Sequence, residues 1–301
     1  GPTRVDTGST LVLGSANALP TSTSVTLGSA SDTADQVNAL NLAGYSASVA
    51  ALNSTGLGLA KVYDSAGGGT LTVNGNSTFA GSIGDSVLGN NLSLTVGGGT
   101  TTLTGNNSFA GAATVNSGAV LNLGTTGQLS GVSAVNLNGG SLLIGGNNQV
   151  NSAANLSMNG GTVSVAATSS GSSFSNLTLT GNSVINFSGL TAGSSLTFTG
   201  VVNALNGNTL SVYNYTPGVT SLVFTQGLDA SGISSTDLSN IRFFSDNGLT
   251  SLGSAGGSFS GSEIVPVPEP SVIFAAILMV ALMAFAKREE ISRLARRVAI
   301  R

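Results

Sequence analysis

Between Val135 and Phe187 the chain repeats itself at a fixed interval. Val135-Asn-Leu137-Asn-Gly139-Gly is echoed by Leu156-Ser-Met158-Asn-Gly160-Gly and then by Leu177-Thr-Leu179-Thr-Gly181-Asn, and both steps are 21 residues. Each unit is a short alternating segment, a Gly/Asn turn, and a second short apolar segment. The second segments are Leu142-Leu143-Ile144, Val163-Ser-Val165 and Val184-Ile185-Asn-Phe187. Alternation puts Leu, Val and Ile on one face of a strand and Ser, Thr and Asn on the other. A unit this small cannot bury its apolar face alone. Stacked copies can, with strands about 4.8 Å apart. The Gly-Gly and Asn-Gly corners supply the positive φ that sharp bends need. The expected fold is therefore all-β, a parallel β-helix or solenoid. Short strands at regular spacing also suit a β-sandwich, but the fixed offset favours stacking. About 10 to 12 coils would make a rod of roughly 50 Å.

The same cadence runs through the rest of the N-terminal two thirds. GGGTLTVNGNSTFAG begins at Gly67 and GGGTTTLTGNNSFAG at Gly97, an offset of 30 in which Phe79 recurs as Phe109. Leu11-Val12-Leu13 and Val25-Thr26-Leu27 are apolar pulses between Gly, Asn, Pro and Ser, and read as strands. Helix competes between Asp32 and Tyr63, where Ala and Leu are frequent. Val37 to Leu42 and Ser48 to Leu52 still keep the strand rhythm, and strands are expected there. Residues 1–205 form the repeat region. From Asn206 the aromatic content rises, with Tyr213, Tyr215, Phe224, Phe243, Phe244 and Phe259. Residues 206–264 read as a C-terminal cap followed by a stalk from about Asn247 to Val265.

The end of the chain differs. After V-P-V-P-E-P, Pro270 to Ala286 carry no charge. As a helix these residues would reach about 25 Å, just short of a hydrocarbon core of about 30 Å. A single transmembrane α-helix over 271–286 is expected. A basic cluster of Lys287, Arg288, Arg293, Arg296 and Arg297 follows it, and the positive-inside rule keeps that tail cytoplasmic. Ile291, Leu294, Val298 and Ile300 would also suit a short amphipathic helix on the inner membrane surface.

Several chemistries are excluded by composition. The chain has no His and no Cys, so His-based triads, thiol nucleophiles and zinc sites of the usual type are out. Only Arg4, Lys61 and Arg242 are cationic before the tail, against ten acids. That leaves about −7 and no basic patch for nucleic acid. The acids Asp32, Asp35, Asp64, Asp85, Asp229, Asp237 and Asp246 are scattered. Asp32 and Asp35 are the one close pair, and flanking a turn they read as solvated rather than as a glycosidase pair. The Gly runs at 67–69 and 97–99 recur with the repeat and lack the Gly-Lys-Ser/Thr of a phosphate loop. Leu19-Pro20-Thr21-Ser22-Thr23 superficially suggests a sortase site but is internal. Sequons at Asn76, Asn155, Asn176 and Asn214 are what an Asn/Ser/Thr-rich chain yields by composition. No cofactor and no metal is expected.

Two resemblances add to this reading. Pro268-Glu269-Pro270, the apolar helix and the basic tail, in that order and spacing, resemble the PEP-CTERM sorting signal over residues 265–301. The resemblance implies recognition by an exosortase, a membrane-embedded processing enzyme, with Pro268, Glu269 and Pro270 as the sorting motif. It also implies export through the Sec translocon behind an upstream signal peptide, and at least transient residence in the bacterial inner membrane. The tail is longer than the few arginines usual in that family. Separately, Gly99-Thr-Thr-Thr-Leu103-Thr-Gly105-Asn-Asn-Ser-Phe109-Ala-Gly111, followed by Thr114-Val-Asn-Ser-Gly118-Ala-Val120, is similar to the autotransporter-associated β-strand repeat. That similarity implies a passenger-like, right-handed β-helix. Self-translocation is not implied, since the sorting signal stands where a translocator barrel would.

The functional expectation is a non-enzymatic, exported surface or extracellular-matrix protein, structural or adhesive, with exopolysaccharide as a partner. The alternative is a permanently anchored single-pass surface protein. A β-helix polysaccharide lyase or hydrolase is the weaker third reading, because only Lys61 and Arg242 could assist the acids.

Overall fold

The computed structural model describes residues 1–166, 171–188, 193–200, 205–226 and 233–267, together with 279, 283, 287 and 288. It is an all-β parallel solenoid of about ten turns. Each regular turn contributes one short strand to each of three stacks.

The third stack shows most simply why this sequence coils. Its strands are Ala47–Val49, Thr70–Val73, Ser93–Val96, Ala112–Asn116, Ala134–Asn138, Asn155–Asn159 and Leu177–Leu179, all parallel. Two inward columns run through it in register. One is Ala47, Leu71, Leu94, Ala113, Val135, Leu156 and Leu177. The other is Val49, Val73, Val96, Val115, Leu137, Met158 and Leu179. Every member is buried. Outward positions between them hold Ser, Thr and Asn, as alternation requires. Each fully buried Leu, Val or Met contributes roughly 1.5–3 kcal/mol, so columns rather than single turns hold the rod together. The 21-residue steps are the ladder itself: Val135 lies opposite Leu156, and Leu156 opposite Leu177.

The 30-residue echo has a different meaning. Thr70–Val73 lies on the third stack beside Ser93–Val96, whereas the look-alike Thr100–Leu103 lies on the first stack. Phe79 stands opposite Leu103, not Phe109. An alternating T-L-T-V segment fits any stack equally well, so the lengths of the intervening corners decide its place. The segment from Asp32 to Tyr63 forms strands Val37–Asn41, Ala47–Val49, Ala51–Ser54 and Leu59–Tyr63, as its rhythm predicts.

The first stack begins with a three-stranded sheet, Thr3–Val5, Ser24–Leu27 and Ala51–Ser54. It resumes with eight strands, from Ser77–Phe79 through to Ile241–Phe243. The second stack opens with Thr10–Val12, Val37–Asn41, Leu59–Tyr63 and Ser82–Ile83, and ends with Ser172–Phe174, Ser194–Phe198 and Thr220–Phe224. There Phe174, Phe198 and Phe224 stack ring on ring, with centroids 6.1 and 5.0 Å apart.

The turns continue past residue 205 to Thr220–Phe224 and Ile241–Phe243. Where a stalk is expected, the chain instead forms an antiparallel hairpin of Ser254–Ser260 and Glu263–Val267. Its second strand pairs antiparallel with Thr220–Phe224. Tyr215 Oη donates to Glu263 Oε1 at 2.9 Å, and its ring meets Phe243 edge-on at 4.8 Å. The short α-helix Ser235–Leu238 is a single turn capped by Ser234.

The expected transmembrane span lies almost wholly outside the described residues. Met279, Met283, Lys287 and Arg288 are helical and exposed. Among the described residues, no helix is long and apolar enough to cross a membrane.

Candidate functional site

The acids are where catalysis would begin, and the structure spends them on the backbone. Asp32 accepts from the Thr7 amide (3.1 Å), the Ser29 amide and hydroxyl (both 2.8 Å) and Asn38 Nδ2 (2.7 Å). It is buried, and Asp35 is exposed. The expectation of a solvated pair is therefore corrected for Asp32. Tight corners leave amides without partners, and a carboxylate can take several of them. Burial works against its ionisation, yet the bonds from Ser29, Thr7 and Asn38 outweigh it and hold the carboxyl below its ordinary range.

Asp64 repeats the pattern, accepting from the amides of Gly44, Ala66, Gly67 and Gly69. Asp246 accepts from those of Gly248, Leu249 and Thr250. Asp237 takes the Leu205 amide and the Ser234 hydroxyl. Ser29 and Asp32, like Ser234 and Asp237, are three apart, the spacing of a capping box. That spacing was the missed sequence signal for a structural rather than a solvated acid. Asp229 lies outside the described residues. Among the described residues, no group of three acids could hold a metal ion.

On the first stack the ladder breaks between Ala51–Ser54 and Ser77–Phe79, and side chains take over its bonds. Ser77 Oγ accepts from the Leu52 amide at 3.0 Å. Asn53 Oδ1 accepts from the Thr78 amide at 3.0 Å, and Ser54 Oγ from the Ala80 amide at 2.8 Å. Two open clefts adjoin this seam. The smaller, about 270 Å³, lies over Asn53, Ser77 and Thr102. The larger, about 330 Å³, lies at the corner towards the second stack and includes Ser54, Leu59, Lys61, Ala80 and Asn106.

Lys61 Nζ is 2.7 Å from Asp85 Oδ2. Asp85 Oδ1 also accepts from the amides of Val87 and Leu88. The Lys61 bond, helped by these amides and opposed by burial, holds the Asp85 carboxyl down to about 2. At the far end of the molecule, burial and the neighbouring Glu263 push the Tyr215 hydroxyl well up.

Pro268, Glu269, Pro270, Arg293, Arg296 and Arg297 lie outside the described residues, as does most of 271–286. Lys287 and Arg288 are described and exposed. The residues of the larger cleft, Lys61 apart, carried no functional expectation. The signal for the seam is a serine, Ser77, at an inward position of an alternating strand. Comparison of the chain with family models, with curated proteins and with solved structures finds no match in any of the three.

Proposed function

We propose that the protein is a non-enzymatic, exported surface or matrix component, a rod whose long polar faces serve structure or adhesion. The observation that carries this reading is the use of Asp32, Asp64, Asp237 and Asp246 as backbone acceptors at the corners. An acid engaged in this way is committed to holding the coil and is poorly placed to act as general acid, base or nucleophile. The solenoid supports the finer reading of a right-handed, passenger-like β-helix. The sequence from Pro268 to Arg301 supports export through the Sec translocon, insertion in the inner membrane by residues 271–286, and processing by an exosortase at Pro268-Glu269-Pro270.

Two readouts test the proposal. Incubation of the chain with acidic and neutral polysaccharides should leave them intact, and turnover of any of them would replace this reading with a lyase or hydrolase. Mass spectrometry of the surface fraction should lack peptides from Glu290 to Arg301. Their recovery on mature surface protein would mean a permanently anchored protein.

A further inference from the structure

We propose that the cleft between Ser54 and Lys61 is a binding site for a neutral, hexose-based glycan. The inference rests on the surface-protein reading for the source of its ligand, and on the cleft's own chemistry for the ligand's class. At about 330 Å³ the space is at the lower end of small-ligand sites. Leu59, about half exposed, and Ala80 give it an apolar wall suited to the C–H face of a sugar ring.

Part of the wall is bare main chain. A Cβ on Gly81 would lie 2.2 Å from the Ala60 carbonyl oxygen, and one on Gly56 1.8 Å from that of Ser29. Only glycine fits at these points.

The polar groups have donors to spare. Ser54 Oγ accepts from Ala80 and keeps its own proton to give. Asn106 Oδ1 accepts from Ser130 Oγ, which leaves its amide hydrogens free to point elsewhere. Lys61 has three donors and spends one on Asp85. A donor-rich surface calls for oxygen acceptors, and sugar hydroxyl and ring oxygens supply them. Net charge then selects among sugars. Lys61 is already neutralised by Asp85 at 2.7 Å, and the chain before its basic tail is acidic. An anionic sugar would have to displace Asp85 and approach a like-charged molecule.

The test is a calorimetric titration of the full chain with short neutral gluco- and manno-oligosaccharides and with oligouronates. Ala80→Tyr plugs the cleft and Lys61→Met strips its cation while keeping the stem. Thr114→Val, on the third stack, is the control, and the melting curve of each variant checks its fold. Neutral oligosaccharides should bind the wild type and the control. Both cleft variants should bind about tenfold more weakly or worse, the loss expected when one main contact of a small site is removed. Preference for oligouronates, or unchanged binding by Ala80→Tyr, would overturn the assignment. Retention of the wild type and Ala80→Tyr alike on insoluble polysaccharide would sink the cleft but keep the adhesive role. Retention of neither on any polymer would sink both.

Discussion

At the scale of single residues, a polar side chain inside the coil is costly unless it is paired. Thr101 is fully buried on the first stack, between Ser77 and Leu121 in the ladder, and its hydroxyl has no hydrogen-bond partner. An unpaired buried hydroxyl costs roughly 1–3 kcal/mol. Thr101→Val keeps the shape and the strand preference and removes that cost. Thermal melting should show the variant to be more stable by about 1 kcal/mol or more, and a loss of stability would mean that the hydroxyl is bonded. Asp85 gives a second prediction. Its carboxyl sits near 2 in the folded chain, below an unfolded value of about 3.9. A depressed acid stabilises the fold above its unfolded pKa, and that contribution is lost as pH falls through the folded one. Wild type should therefore melt above Asp85→Asn at neutral pH, and the gap should close between about pH 4 and pH 2. A gap that stays constant through that window would show that the Lys61 pair does not stabilise the fold.

At the scale of strands and columns, the alternation was legible and the corners were not. Inward Leu137, Met158 and Leu179 could be aligned from the 21-residue step alone, since turn length is constant there. The N-terminal half was harder, because its corners vary in length. The bend at Asp85–Gly89 lengthens the corner between Ile83 on the second stack and Ser93 on the third, and the 30-residue echo exceeds the 23-residue step from Thr70 to Ser93, so it lands on a different stack. The terminal hairpin was misread for a reason that is also physical. Its glycines look like a linker, but a Cβ on Gly257 would lie 2.5 Å from Ile264 Cγ2. Glycine is there for close packing, and the strand on which the hairpin docks, Thr220–Phe224, is remote in sequence. Met158→Asp tests the column. An unpaired charge among Leu137 and Leu179 costs several kcal/mol. The melting temperature should fall, and amide protection should be lost first at Ala134–Asn138 and Leu177–Leu179. An unchanged melting curve would mean that the inward register is wrong.

For the whole molecule, the broken row on the first stack has a mechanical side. Stacked strands resist bending through continuous files of backbone hydrogen bonds, which are short and uniformly spaced. Between Ser54 and Ser77 one of the three files is carried by the side chains of Asn53, Ser54 and Ser77. At the same level, the second stack remains paired from Leu59–Tyr63 to Ser82–Ile83, and the third from Thr70–Val73 to Ser93–Val96. Side-chain tethers have torsional freedom that peptide ladders lack, so this flank is the softer spring. The flank is therefore expected to open under load more readily than the levels where the first stack is paired backbone to backbone.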